Sequence, residues 1–213
     1  KRALAQRFGK AAQSYDDYAL LQKEVGRHLL SLIPGVQYTN GLDLGCGSGF
    51  FLPDLQQLCN YLLALDISPG MLKQASLRDK AQGYVCGDAE ALPLRSESLD
   101  LVFSSLALQW CHDPAQAFRE IKRVLTSQGY ALFATLNSGS LFELREAWMA
   151  VDDHEHINQF MEELELRSVL QQAEIQCQTW QVKRHVMYYA DVNAILQSLK
   201  RIGASQVNGQ RSQ

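Results

Sequence analysis

The sequence predicts an α/β fold, a mostly parallel central sheet with helices on both faces. Three observations predict it. Short apolar runs alternate with helical stretches over the first two thirds of the chain. The first run leads straight into Gly45-Cys46-Gly47-Ser48-Gly49, and the second and third end in Asp66 and Asp88. Strands and helices alternating at this spacing build parallel sheets whose strand C-termini share one edge.

The elements follow in order. Residues 1–33 read as helical, with Leu20, Leu21, Val25, Leu29, Leu30 and Ile33 near helical spacing, and Pro34-Gly35 stops them. Gly41–Leu44 is the first strand and a helix runs from about Phe50 to Leu58. Tyr61–Leu65 is the second strand, followed by a helix around Met71–Leu77. Tyr84–Cys86 is the third, ending at Gly87-Asp88, and Leu99–Phe103 is the fourth, with a helix over Pro114–Leu125 behind it. Tyr130–Leu136 is the fifth strand. Beyond it the pattern changes: residues 141–173 read as largely helical, Ile175–Tyr189 as an extended sixth strand, and Asp191–Ile202 as a helix. The expected organisation is an N-terminal helical segment (1–34), an α/β core (35–137) and a C-terminal helical and strand part that completes the sheet (138–213).

Composition narrows the function. The 213 residues carry 20 Lys and Arg against 23 Asp and Glu, a net charge of −3. A dedicated nucleic-acid binder is usually strongly basic, so nucleic acid is not an expected partner. No apolar run reaches the ~18 residues that span a bilayer, and Lys1–Lys10 lacks the apolar core of a secretory signal. The five cysteines are odd in number and never spaced C-x-x-C, which points to reduced thiols and a cytoplasmic protein rather than a zinc or disulfide framework. His154-x-His156 beside Asp152 and Asp153 lacks a coherent third ligand, and no metal site is expected.

The glycine loop carries the strongest local signal. Glycines allow a sharp turn and close approach of a ligand, and the helix that follows offers free N–H groups. A dinucleotide fingerprint needs Gly or Ala where Phe50 stands, and no G-K-[ST] of a phosphate loop is present. The spacing suits a ligand without a pyrophosphate. Asp66, 21 residues after Gly45, is placed to accept both hydroxyls of a ribose. Asp88 is placed to accept from an adenine amino group. Alone, Asp66 equally suits a helix cap, and Asp88 a turn. In order, at successive strand ends, they reinforce each other.

These stretches resemble the class I S-adenosylmethionine (SAM) methyltransferases: LDLGCGSG (42–49), ALDISPGMLKQA (64–75), GDAEALPL (87–94), LDLVFSSLALQW (99–110) and FREIKRVLTSQG (118–129). The resemblance implies a Rossmann-like class I methyltransferase fold with SAM as cofactor. It implies that Asp43, Gly45, Cys46, Gly47 and Gly49 surround the methionine end, that Asp66 holds the ribose, and that Ile67 and Met71 pack on the adenine. Asp88 and Ala89 would take the adenine edge, Ser104 to Leu106 would line the sulfonium side, and Tyr15 would cover the pocket. FGKAAQSYDDYALLQ (8–22), LALQWCHDP (106–114), TLNSGSLFELREAW (135–148), NQF (158–160) and SLKRIGA (198–204) are similar to a narrower family, the malonyl-[acyl-carrier protein] O-methyltransferases of biotin synthesis. That similarity implies methylation of the free carboxylate of a malonyl thioester carried by acyl carrier protein.

A carboxylate is an anion at neutral pH, so no general base is expected and no residue is assigned a catalytic proton transfer. Arg145 is the one cation among eight acidic residues between Glu143 and Glu165. It is a candidate clamp for the acceptor carboxylate, or else an intrahelical partner of Glu143 or Glu146. Gln109 and Trp110 are candidates for shaping the acceptor pocket, with Trp110 equally a core residue. Six cations in residues 1–27, and Lys200, Arg201 and Arg211 near the end, are candidates for steering the acidic carrier protein, or are solvated helix faces. Two departures from the family pattern stand out. Thr126-Ser127-Gln128-Gly129 replaces a loop with two glycines, and no seventh strand follows the sixth, so a further C-terminal stretch is expected to complete the sheet. The chain is expected to act as a monomer. Methylation of another small carboxylate, or of a quinone or phenol precursor, remains open, as does a SAM-binding protein without turnover. A nicotinamide oxidoreductase is disfavoured by Phe50.

Overall fold

The computed structural model describes residues 1–204. Helices α1 (Arg2–Ala11), α2 (Tyr15–Tyr18) and α3 (Leu20–Leu30) precede strand β1 (Tyr38–Leu44). Then come α4 (Leu52–Leu58), β2 (Cys59–Asp66), α5 (Pro69–Ser76), β3 (Gly83–Cys86) and β4 (Leu99–Ser105). After a 3₁₀ turn at Leu108–Trp110 come α6 (Pro114–Val124), β5 (Leu125–Ala134), α7 (Phe142–Met149), α8 (Glu163–Gln172) and α9 (Val192–Arg201).

The five strands form one sheet in the order β3-β2-β1-β4-β5, every pairing parallel. In register, Leu44 lies opposite Leu65 and Asp66 opposite Cys86, so the strand ends gather on one edge as expected. Side chains alternate across the sheet. Leu42, Leu44, Leu65 and Val102 pack on one face with Phe118, Ile121 and Val124 of α6 and Leu166 and Leu170 of α8. Leu62, Ala64, Leu101 and Phe103 pack on the other with Leu52 and Leu55 of α4, Ala75 of α5 and Leu29 of α3. Local chemistry sets the helix starts. Ser68, Asp113 and Asp191 each accept a backbone N–H of the turn they open, and Pro69 and Pro114 follow two of them.

Three expectations change. The fifth strand begins at Leu125 rather than Tyr130, but the ladder jumps from Leu99 opposite Leu125 to Leu101 opposite Tyr130. Residues 126–129 are thus looped out of register, and Asp100 accepts the Thr126 hydroxyl at 3.3 Å. Residues 150–162 are not helical and part α7 from α8. The expected sixth strand at Ile175–Tyr189 joins no ladder among the described residues. Its side chains reach α3 instead: Gln181 and Lys183 meet His28 at 2.9 and 3.3 Å, and His185 meets Glu24 at 3.0 Å. The outer edge of β5 carries no further strand among the described residues, so β-rich composition alone does not make a strand here.

Candidate active site

The glycine loop leaves β1 and is bound at once to the next strand. The Gly45 and Cys46 N–H groups both donate to the Leu65 carbonyl, at 2.8 and 3.0 Å. Gly45, Gly47 and Gly49 all have positive φ (+74°, +54°, +76°), which glycine adopts without penalty. They differ in what surrounds them. A Cβ on Gly45 would lie 2.3 Å from the Ala107 Cβ, and one on Gly49 would lie 2.9 Å from the Ala75 Cβ. Those two serve close packing. Above Gly47 the nearest atom is a Tyr15 ring carbon at 4.0 Å, so this glycine opens on space.

Asp66, at the end of β2, is only 7 % exposed. One carboxylate oxygen accepts the Gly47 N–H at 2.9 Å and the other the Ser68 N–H at 2.7 Å. Burial still raises its pKa above the ordinary value, against the pull of these N–H groups. Asp43 is 2 % exposed, and its Oδ2 has no partner among the described residues. Burial, reinforced by the charge of Asp66, pushes the Asp43 carboxyl up to about 8. Burial and the neighbouring acid both favour the neutral form of the Asp43 carboxyl.

A cleft opens at this edge. It is lined by Gly45, Gly47, Asp66, Ile67 and Met71 on one side and by Asp88, Ala89, Ser105, Leu106 and Trp110 on the other, with Leu4, Phe8 and Tyr15 across it. Its volume is about 100 Å³. Cys46, Gly49, Asp43 and Ser104 do not line it. Cys46 is a buried core residue whose thiol burial pushes up. Ser104 corrects an expectation: it is fully buried and its hydroxyl donates to the Leu44 carbonyl at 2.9 Å, tying β4 to β1. The serine at the cleft is Ser105, whose Oγ is buried without a partner among the described residues.

Further residues at the cleft carried no motif. Lys1 donates to Asp88 at 2.6 Å and lies 2.6 Å from Glu90. Burial alone would raise the Asp88 carboxyl, but the Lys1 ammonium and the Glu90 N–H outweigh it and hold it low. Trp110 meets Phe8 edge to face, 5.4 Å between centroids. Beside the loop, Asp16 of α2 takes up the Ser48 hydroxyl and the Arg78 guanidinium. Phe50, the residue that spoils the dinucleotide fingerprint, has Lys23, Arg27 and Arg78 over its ring at 4.6, 5.3 and 5.9 Å.

The candidate acceptor residues divide. Gln109 donates to the Leu106 carbonyl at 2.7 Å and keeps a buried Oε1 without a partner among the described residues. With Trp110 it lines a second, broad groove between β5, α3 and residues 174–189. Arg145 forms no ion pair with Glu143 or Glu146. Its Nη1 donates to the Ser138 carbonyl at 3.2 Å, and its Nη2 is buried without a partner among the described residues. Arg145 lines neither cavity. His156 is engaged by Asp152 at 2.8 Å and stacks on Trp148.

A glycine loop and buried acids at the carboxyl edge of a parallel sheet define a nucleoside-cofactor site of the α/β methyltransferase class. Residues 42–133 match the family described as "Methyltransferase domain". A SAM-dependent methyltransferase from Thermotoga maritima shares the fold, with a TM-score of 0.59 and 22 % identity over 79 % of each chain. So does a Haloferax volcanii methyltransferase solved in complex with the Trm112 activator, with a TM-score of 0.66 and 24 % identity over 78 % of this chain and 75 % of that one. The malonyl-[acyl-carrier protein] O-methyltransferase of Marinomonas sp. is 42 % identical over 97 % of this chain and 78 % of its own. That of Salmonella typhimurium is 38 % identical over 98 % and 82 %. The biotin biosynthesis bifunctional protein BioHC of Cellvibrio japonicus is 40 % identical, and the chain spans 43 % of its length. The chain belongs to the malonyl-[acyl-carrier protein] O-methyltransferase family and is a SAM-dependent methyltransferase.

Proposed function

We propose that the protein transfers the methyl group of SAM to the free carboxylate of a malonyl thioester carried by acyl carrier protein, acting as a cytoplasmic monomer in the early biotin pathway. The observation that carries this reading is the 42 % identity, over 97 % of the chain, to a relative named for that reaction.

The site's own chemistry supports the cofactor. The Asp43 Oδ2, buried without a partner among the described residues, and the nearby Asp66 leave polar atoms in this corner for a ligand to engage. The open space above Gly47 suits a ligand laid on the backbone. In this reading Asp43, Gly45, Cys46, Gly47 and Gly49 form the methionine end, with Asp43, Cys46 and Gly49 acting from behind the cleft wall. Asp66 holds the ribose, Ile67 and Met71 pack on the base, and Asp88 and Ala89 take its edge. Ser105 and Leu106 line the sulfonium side, under a cap formed by residues 1–34 with Tyr15. When bound, SAM supplies an electrophilic methyl on a sulfonium.

The chain's residues then orient and exclude water; no side chain needs to remove a proton from a malonyl carboxylate that is already ionised. Holding two reactants in line contributes up to roughly 7–11 kcal/mol in good cases. The Arg145 Nη2, without a partner among the described residues, supports a carboxylate-directing role for that guanidinium, which would have to turn toward the cleft because it lines neither cavity. It would orient more than attract, since strong binding of the ground-state anion gains no rate. Arg201 of α9 sits over the Tyr18 ring of α2 at 5.5 Å, which brings the basic end of α9 to the N-terminal segment that carries the other cations. Together they offer one positive surface to an acidic carrier, whereas Arg211 lies outside the described residues.

The test is an acceptor panel. With methyl-labelled SAM, malonyl-acyl carrier protein should gain a base-labile methyl ester faster than malonyl-CoA or free malonate. Equal or greater transfer to a phenol, with a rate rising through a group near neutrality, would contradict the reading.

A further inference from the structure

The first eighteen residues lie across the cleft as a strap, and its two ends are fastened differently. At the α1 end a close backbone contact is joined by side-chain bonds. A Cβ on Gly70 would lie 2.6 Å from the Gly9 Cα, and Ser68 donates to the Ala5 carbonyl at 2.8 Å. Lys1 adds its contacts to Asp88 and Glu90. At the α2 end the fastening is made by side chains. One Asp16 carboxylate oxygen accepts the Ser48 hydroxyl and the other pairs with the Arg78 guanidinium. Arg78 Nε in turn donates to the Ser48 carbonyl at 2.9 Å, and Lys23 donates to the Asp16 carbonyl at 2.7 Å. Three segments far apart in sequence, α2, the glycine loop and the turn after α5, thus meet at one carboxylate. Its neighbour in sequence is Tyr15, whose ring stands above Gly47.

The cavity under the strap is about 100 Å³, whereas ligand pockets run to roughly 300–1,000 Å³. To admit a nucleoside cofactor this cleft has to widen. The α2 end lacks the close glycine packing that holds α1 to α5, and its Asp16–Arg78 pair is about 30 % exposed on each side, so it is the end that gives more easily. A part-exposed ion pair is weak and salt-sensitive, unlike the packed glycine contact.

We propose that Asp16 is a positioning residue that, with Arg78 and Ser48, latches α2 onto the glycine loop and sets how long cofactor and product stay bound. The proposal rests on the cleft being the SAM site. It is tested on the full chain by stopped-flow release of S-adenosylhomocysteine, with urea unfolding of each ligand-free variant alongside.

Asp16→Asn and Arg78→Met should each speed release about three- to fivefold, the scale of one exposed ion pair. The double variant should be no faster than the quicker single one, because the two residues form one latch. Arg78→Lys should recover part of the wild-type residence time. In the wild type, raising salt from about 0.05 to about 0.5 M should speed release, and it should do so less in Arg78→Met. Release within twofold of wild type in both single variants would overturn the latch while leaving the site intact. So would acceleration seen only in variants whose ligand-free unfolding midpoint falls in proportion, because the residues would then serve stability alone. Failure of the wild type to bind S-adenosylhomocysteine would overturn both the latch and the site.

Discussion

The Asp66 carboxylate accepts the Gly47 backbone N–H at 2.9 Å. This contact joins the end of β2 to the middle of the glycine loop and sets the floor of the cleft. A single side chain therefore both shapes the loop and presents a buried acid to a ligand lying on it. Removing it costs the loop an acceptor and the ligand a partner at once.

The two adjacent serines at the end of β4 should separate cleanly. Ser104→Ala strips the Leu44 carbonyl of its hydroxyl donor in the core, which costs about 1–3 kcal/mol of stability. Its affinity for S-adenosylhomocysteine should stay close to wild type. Ser105→Ala removes a hydroxyl that bonds nothing among the described residues, so stability should hold while cofactor affinity or turnover drops. Urea unfolding and calorimetric binding on both variants check this, and the opposite pattern would return Ser104 to the cleft.

Asp43 makes stability and binding depend on pH. Its carboxyl, pushed up to about 8 in the folded protein, ordinarily titrates near 4. Between those values the folded state binds more protons than the unfolded one, so the ligand-free protein should lose stability as pH rises from about 4 to about 8. The loss levels off above that window. A cation beside the carboxylate favours its ionised form, so SAM binding should release a proton near pH 7. Asp43→Asn should flatten the thermal-unfolding profile across the window. A slope unchanged in that variant would assign the dependence to other groups.

Arg145→Ala should raise the KM for malonyl-acyl carrier protein about tenfold, the scale of one charge-assisted hydrogen bond, and leave SAM binding unchanged. Arg145 pairs with no acid of its own helix, so loss of a local ion pair is not the competing outcome. Steady-state kinetics with each substrate varied in turn decides. A change confined to the unfolding midpoint would make the guanidinium a prop for the Ser138 carbonyl.

Much of the site was legible in the sequence because it is local. Gly45–Gly49, Asp66 and Asp88 each stand directly after an apolar run, and a parallel sheet brings such ends together. What stayed hidden depends on contacts between distant segments or on a one-residue shift. Asp16, Ser48 and Arg78 are separated by some thirty residues at each step, and no motif links them. Whether Ser104 or Ser105 faces the cleft turns on strand parity, since successive side chains alternate across a sheet. Ile175–Tyr189 carries the composition of a strand, but it lies against α3 and pairs with no edge among the described residues. The looped-out 126–129 segment shows the same limit, because apolar pattern marks a strand but not its ladder.

The most direct test of the account is equilibrium binding of S-adenosylhomocysteine to the wild type and to Asp66→Ala. The account predicts saturable one-to-one binding to the wild type, weakened in the variant by about 1.5–3 kcal/mol for loss of a buried charged acceptor, with the variant still folded. Equal affinity in the two proteins, or no binding to the wild type, would contradict it.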